Sequence, residues 1–352
     1  MEKFVFNWLI ASIGSKLDWN QFGGQKGNSV AHYLIEFINF VQYNQDLRNI
    51  QATLATFIDF SKAFNRQDHN VLITLLCDLG TPGWLLNIVV GFLENRCLTV
   101  SYKDEKSTLL QLPGGGPQGT ILGLLLFLIL INEAGLRTAQ SRIGEMATSS
   151  HRHREIMNER HWKFVDDMTI AKALDLKRDL EHKIDLPRPL NYRDRTSHVL
   201  RKEKQQDMNN TLTGLQQYAV EHKMLINQTK SKAMLFNTSQ KYDFLPSIQF
   251  DSSCTLEVVE QYKLLGVIIT SNLSWQAHVD YICSNAFKRM WMLRRLKQLG
   301  AREDDLLTVY RTQIRCVLEF SAPVWNPSLT KAQIGQIERP RHPPLCYPTL
   351  VM

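Results

Sequence analysis

Two aspartates stand side by side, Asp166 and Asp167, directly after the apolar pair Phe164-Val165. Along a strand successive side chains face opposite sides, so neighbours in a regular strand point apart. Both can stand near one edge only where the chain turns, and aspartate is a favoured turn residue. Much earlier in the chain a second apolar run, Leu54-Ala55-Thr56-Phe57-Ile58, ends on Asp59. It has the length and composition of a core strand. Acidic groups gathered at the ends of interleaved strands are expected of an α+β catalytic domain, here followed by a helical one.

The remaining segments fit that frame. Gly23-Gly24-Gln25-Lys26-Gly27 reads as a loop, after which Asn28 or Ser29 caps a helix carrying Val30, Leu34, Phe37, Ile38 and Val41 at helical spacing. A leucine-rich helix stops at Gly80, and a second runs from Trp84 to Glu94. Cys97 to Tyr102 and Ser107 to Leu112 form a hairpin across the charged turn Lys103 to Lys106. The loop Pro113-Gly114-Gly115-Gly116-Pro117 precedes the apolar run Ile121 to Ile131, which is a buried element, too short for the ~20 residues that cross a bilayer as a helix. Gly135 to Trp162, with His151, Arg152, His153 and Arg154 in a row, reads as an exposed connection, and residues 174 to 208 are again charged. A helix from about Thr211 to Lys223, strands at Met234-Leu235-Phe236 and Leu264 to Thr270, and helices from Trp275 to about Phe320 complete the chain.

Composition narrows the partners. The formal charge of +7 favours an anionic partner such as nucleic acid. The six cysteines (Cys77, Cys97, Cys254, Cys283, Cys316 and Cys346) form no CxxC pair, which reads as reduced thiols in an intracellular protein of the nucleus or cytoplasm. The start, Met1-Glu2-Lys3-Phe4-Val5, lacks the apolar core of a signal peptide, and nothing points to a membrane.

Carboxylates on separate strands suit phosphoryl transfer, which can use two divalent ions about 4 Å apart. Magnesium takes hard oxygen ligands, one or two carboxylates with substrate phosphate and water. The like charges of Asp59 and Asp166 coexist when metal lies between them.

These segments are also recognisable. Phe57-Ile58-Asp59-Phe60-Ser61-Lys62-Ala63-Phe64-Asn65 resembles motif A of reverse transcriptases, Gly116-Pro117-Gln118-Gly119-Thr120-Ile121-Leu122-Gly123 resembles motif B, and Phe164-Val165-Asp166-Asp167 resembles motif C, in the family's order. The likeness covers about residues 1 to 338 and is nearest to the enzymes of non-LTR (LINE-type) retrotransposons. It implies an α+β right-hand polymerase with an antiparallel palm sheet, partial fingers over 1–51, palm over 52–272, a helical thumb over 273–338 and an off-family disordered tail over 339–352.

By the same resemblance Asp59, Asp166 and Asp167 hold two Mg2+ ions (Mn2+ serving in their place), with Asp167 supporting the site. Phe64 falls at the steric-gate position that rejects a ribose 2′-hydroxyl, and Phe60, Gln118 and Gly119 line the nucleotide. Asn227-Gln228-Thr229-Lys230-Ser231-Lys232 resembles motif D, in which Lys230 assists the pyrophosphate leaving group. Tyr262-Lys263-Leu264-Leu265-Gly266-Val267 resembles the primer-grip motif E. Trp275 and His278 lead into a thumb helix whose apolar face, including Phe287, Met290, Trp291, Leu293 and Leu296, packs inward. Its basic residues Lys288, Arg289, Arg294, Arg295 and Lys297 meet backbone phosphates. The implied partners are an RNA template, a DNA primer and deoxynucleoside triphosphates.

The sequence departs from the family in places. Its first residues resemble a segment lying after the first fingers motifs, and Arg339-Pro340-Arg341-His342-Pro343-Pro344 breaks the helical pattern, as a frameshift or mis-joined exon would. Leu124 stands where proline is frequent and Glu133 where aspartate is frequent. Two other readings share parts of this pattern: an inactive nucleic-acid-binding remnant of a mobile element, and a two-metal nuclease. The nuclease leaves Phe64, the Gly-Pro-Gln-Gly loop and the basic helix unexplained.

Overall fold

The computed structural model describes residues 1–46, 50–112, 114–134, 159–175, 192–237, 247–251 and 254–341. Helices α1 (Glu2–Ile13) and α2 (Val30–Asp46) precede strand β1 (Ile50–Asp59). Helices α3 (His69–Asp78) and α4 (Gly83–Leu93) lead to a ribbon of short strands, β2 (Cys97–Leu98), β3 (Ser101–Tyr102), β4 (Glu105–Lys106) and β5 (Leu110–Gln111). Helix α5 (Ile121–Leu130) is followed by the hairpin β6 (Glu159–Phe164) and β7 (Asp167–Asp175), then α6 (Tyr192–Glu221) and β8 (Lys232–Phe236). Strands β9 (Gln249–Asp251), β10 (Cys254–Thr255) and β11 (Glu257–Val258) lead to the hairpin β12 (Gln261–Leu264) and β13 (Val267–Thr270). Helices α7 (Gln276–Gln298), α8 (Glu303–Val309) and α9 (Lys331–Arg341) form most of the C-terminal part.

The central sheet has five strands in the order β11-β8-β1-β7-β6. All its pairings are antiparallel except that of β11 with β8. Strand β1 lies in the middle, and every side chain from Ala52 to Ile58 is buried. A strand covered on both faces reads as a continuous apolar run without polar alternation. Its two faces serve different cores. Phe57 joins α2, Trp162, the β12–β13 hairpin and the C-terminal residues Ile282, Trp325 and Ile337 in one cluster. Leu54 and Ile58 join Phe127 of α5 and Leu212 and Leu215 of α6 in another. A third core unites α1 with α3, α4 and the opposite side of α5. The first cluster therefore crosses both boundaries, near residues 51 and 273, that the resemblance implies for fingers, palm and thumb.

Phe37 shows how that cluster is knit. Its ring makes edge-on contacts with Phe57 at 6.0 Å, Trp162 at 5.4 Å and Phe236 at 5.7 Å. Such pairs add about 0.5–1.5 kcal/mol each beyond the area they bury.

Several expectations from the sequence are revised. Glu159 to Trp162, read as exposed connection, opens a core strand with Trp162 at 1% exposure. Its alternation was masked by His161 and Lys163, both of which turn inward to buried partners. The helix expected from Thr211 begins at Tyr192, where charged residues carry no apolar period. Leu264 to Thr270 is a hairpin: Leu265 (φ 47°) and Gly266 (φ 91°) form its two-residue turn, both left-handed as such hairpins require. The 97–112 hairpin is present, its strands pairing in two short steps. Helix α9 runs through Pro340 to Arg341, so the helical pattern continues past residue 338; residues 342–352 of the expected tail lie outside the described residues. The basic run His151 to Arg154 lies outside them as well.

Candidate active site

Asp59 and Asp167 are the last pair of the β1–β7 ladder. Direct partners in an antiparallel ladder share a face, so both carboxylates stand on the side that carries Phe57. Asp166 precedes Asp167 in the β6–β7 turn. Val165, the other turn residue, takes φ 57°, an uncommon conformation for a β-branched residue. Burial pushes the Asp167 carboxyl up to about 6, aided by the charges of Asp166 and Asp59. Asp166 is likewise raised, first by burial and further by Asp59. Negative charge has thus been gathered at one sheet edge against its own repulsion.

Asp59 is held from the other side by the loop before β8. The Asn227 N–H donates to the Asp59 carbonyl at 2.7 Å, and the Asp59 N–H donates to Ser231 Oγ at 3.2 Å. Lys230 Nζ lies 4.0 Å from Asp59 Oδ2, in a largely exposed pair. Tyr262 stacks on Phe57, centroids 4.3 Å apart and rings within 5° of parallel, on the same sheet face as the carboxylates. Its hydroxyl is pushed up to about 12 by burial and by the charges of Asp167 and Asp59.

Phe64 is half-buried and stacks on Phe127 of α5 at 4.8 Å. The turn that carries it is zipped to the glycine-rich loop: the Gly115 N–H donates to the Gln67 carbonyl at 2.9 Å and the Gly116 N–H to the Phe64 carbonyl at 2.7 Å. Gln118 and Gly119 are exposed beyond this zip, at the mouth of α5. Thr120 caps that helix by accepting from Gly123 at 3.0 Å, and a Cβ at Gly123 would overlap the Pro117 carbonyl. Phe60 is placed differently from the other expected nucleotide contacts. Its side chain is 4% exposed and packs in the second core, so only its backbone faces outward.

The thumb helix also departs from expectation. Its buried stripe runs His278, Val279, Ile282, Ala286, Met290 and Leu293. Phe287 and Trp291, expected in that stripe, are 46% and 69% exposed. They stand four residues apart on the flank shared with the exposed Lys288 and Arg295. Arg289, counted among the phosphate contacts, donates to the Gln313 carbonyl at 2.7 Å inside the π-helical turn Tyr310–Arg315.

Sequence reading missed the groups beneath the Asp166-Asp167 turn. Lys163, 1% exposed, donates to the carbonyls of Ile131, Asn132 and Ala134 at 2.9, 2.7 and 3.1 Å and pairs with Asp18 at 2.7 Å. His161 Nε2 lies 2.8 Å from the same Asp18. Burial opposes the Asp18 charge, yet His161 and Lys163 hold its carboxyl below the ordinary range. No local pattern could have revealed a cluster whose members lie so far apart in sequence.

Among the described residues no group of three or more His, Cys, Asp and Glu side chains is drawn together around one point as in a preformed cage. The donor set still fits hard divalent ions, which take one or two protein carboxylates and complete their shells with water and substrate phosphate. No described helix is long and apolar enough to cross a membrane.

Residues 2–269 match the family model for reverse transcriptase (RNA-dependent DNA polymerase). Two curated relatives, both RNA-directed DNA polymerases from the mobile element jockey, are 26% identical over 41% of this chain (Drosophila melanogaster) and 20% identical over 93% (Drosophila funebris). The chain spans 16% and 32% of their lengths. A solved telomerase from Candida albicans, in complex with a fragment of telomeric RNA, has a TM-score of 0.45 at 10% identity, covering 96% of this chain and 53% of that one.

Proposed function

On the premise that this chain belongs to the reverse transcriptase family, we propose that it is the RNA-directed DNA polymerase core of a non-LTR retrotransposon. The observation that carries the reading is the meeting of Asp59, Asp166 and Asp167 at one sheet edge, with the carboxyls of Asp166 and Asp167 raised by burial and by neighbouring negative charge. Asp59 and Asp166 would hold two Mg2+ ions, with Asp167 supporting them. Bound there, the ions lower the pKa of the attacking primer hydroxyl and offset charge on the leaving phosphates.

The chain's own groups supply the rest. Phe64, braced by Phe127 and by the Gly116 hydrogen bond, acts as the gate against a 2′-hydroxyl. Gln118 and Gly119 offer a side-chain amide and an open backbone to nucleotide or template. Lys230 stands beside Asp59, where its ammonium can meet the pyrophosphate group as it leaves. Lys288 and Arg295 meet phosphates of the template–primer duplex, and the exposed Trp291 ring packs against its sugars. Cys77, Cys97, Cys283 and Cys316 carry free thiols, which supports work in the nucleus or cytoplasm.

The test is primer extension on poly(rA)/oligo(dT) with Mg2+, comparing the chain with Asp166→Ala. Incorporation that vanishes in the variant is the expected result. Absence of incorporation by both, with template binding intact, would leave an inactive nucleic-acid-binding remnant.

A further inference from the structure

The hairpin turn that carries Asp166 is not held by its own hairpin alone. Chain from the N-terminal side runs along the outer edge of β6. The Lys163 N–H donates to the Asn20 carbonyl at 2.9 Å, the Phe22 N–H donates to the Lys163 carbonyl at 2.8 Å, and Gln21 makes a parallel bridge to Lys163. Gln21 is 4% exposed. Its Oε1 accepts from the Val165 N–H at 3.1 Å and from the Gly23 N–H at 2.9 Å. Two backbone donors fix which end of the amide faces the turn, and Nε2 has no partner among the described residues.

The two glycines that follow set the spacing. A Cβ on Gly23 would lie 2.5 Å from the Val165 nitrogen, so the backbone approaches the turn as only glycine allows. Gly24, with φ 73°, rests on α5, where a Cβ would come within 3.0 Å of Leu124 and Leu128. One short segment thus touches the turn bearing Asp166 and the helix behind the Gly-Pro-Gln-Gly loop. Lys163 joins the same two elements from below, through the carbonyls that end α5.

We propose that Gln21 is a positioning residue for nucleotidyl transfer: its Oε1 holds Val165 in the left-handed conformation and so sets the place of the Asp166 carboxylate relative to α5. This rests on the polymerase reading. An isolated left-handed β-branched residue relaxes toward ordinary backbone unless neighbours over-determine it. The Val165 N–H is otherwise a turn donor without a ladder partner, and the Gln21 oxygen is the group that engages it. Gly23 and Gly24 permit the approach, and Gln21 makes the contact.

Gln21→Met keeps length and bulk but removes the acceptor. In the metal-free full chain, hydrogen exchange at the Val165, Asp166 and Asp167 amides should quicken at least tenfold, with the β1 and β7 interior unchanged. With Mg2+ and template–primer, kcat should fall at least tenfold while KM for the nucleotide stays within twofold. Adding Val165→Gly, which adopts the left-handed conformation freely, should restore part of kcat; a merely structural defect would be deepened by a glycine in the turn. Should Gln21→Met fail to fold, Gln21→Asn, one methylene short of the turn, should show the same local quickening with an intact melting transition. Unchanged exchange at the turn in a folded variant overturns the proposal. If the unaltered chain extends no primer, the polymerase reading fails, and exchange in the metal-free chain still decides whether the clamp exists.

Discussion

Asp59 and the Asp166-Asp167 pair reach the same sheet edge by different routes. Asp59 ends a strand and is tethered by the Asn227 and Ser231 hydrogen bonds, with exposed Lys230 Nζ 4.0 Å from its carboxylate. The aspartate pair sits on a turn braced from outside by Gln21 and from below by Lys163, Asp18 and His161, all buried or nearly so. One carboxylate is thus fixed by neutral hydrogen bonds from its main chain to the loop before β8, and the other two by a charged cluster withdrawn from water. In the second case each brace is stronger, and the loss of one member leaves its partners buried and unsatisfied.

The largest test of this contrast is catalytic. Asp59→Ala and Asp166→Ala should each lower primer extension by about a thousandfold, alike despite their unlike supports, since each removes a charge that the transition state needs. If one variant kept more than a tenth of activity, the equivalence of the two sides at the reacting centre would be broken. Supports should separate where carboxylates do not. Lys163→Met strands Asp18 without its main cation and should cost about 3–5 kcal/mol in denaturant melts. Ser231→Ala, which removes a neutral hydrogen bond beside Asp59, should cost about 1 kcal/mol.

Two further outcomes sharpen the picture. His278 is buried, its Nδ1 accepts from the Ile268 N–H at 3.3 Å, and burial holds its pKa down to about 4. The unfolded ring titrates near 6.5, so between these values the unfolded state binds more protons and stability is lost as pH falls. The chain should therefore lose melting temperature from about pH 6.5 down to pH 4, and His278→Phe should flatten that slope. At the Asp166-Asp167 turn the sign reverses. Asp167→Asn removes a charge that burial and two neighbours disfavour, so the metal-free chain should melt a few degrees higher while losing activity. A lower melting temperature would mean that hydrogen bonds to the Asp167 carboxylate outweigh the repulsion.

Local features of the fold were legible in the sequence. The apolar run before Asp59, the need for a turn at Asp166-Asp167, the Ser29 cap and the Gly80 stop each rest on a few adjacent residues, and each is present. What could not be read depends on contacts between distant segments. His161 and Lys163 looked like surface residues because their carboxylate partner lies far back in the chain, at Asp18. Phe287 and Trp291 were counted with the apolar face of their helix, yet the buried stripe excludes them. Charge in the first half of α6 hid a helix that lacks amphipathic period. Within the candidate site, Asp59, Asp166 and Asp167 stood out at the ends of apolar runs and in the family's motifs, whereas Gln21 lies in a segment similar to the family's fingers and nothing in the sequence tied it to the Val165 turn.

The cluster that seats Phe37 against Phe57 also contains Trp325 and Ile337. Its first members leave the ribosome long before its last. At about 5–20 residues per second, the helix bearing Tyr33 and Phe37 waits some tens of seconds for the segment that finally covers it. During that interval an apolar surface meant for the interior faces water, open to chaperones or to other nascent chains. Folding of this face is thereby tied to completion of translation through Ile337, and a product released before Trp325 should aggregate even though Asp59, Asp166 and Asp167 have already been made.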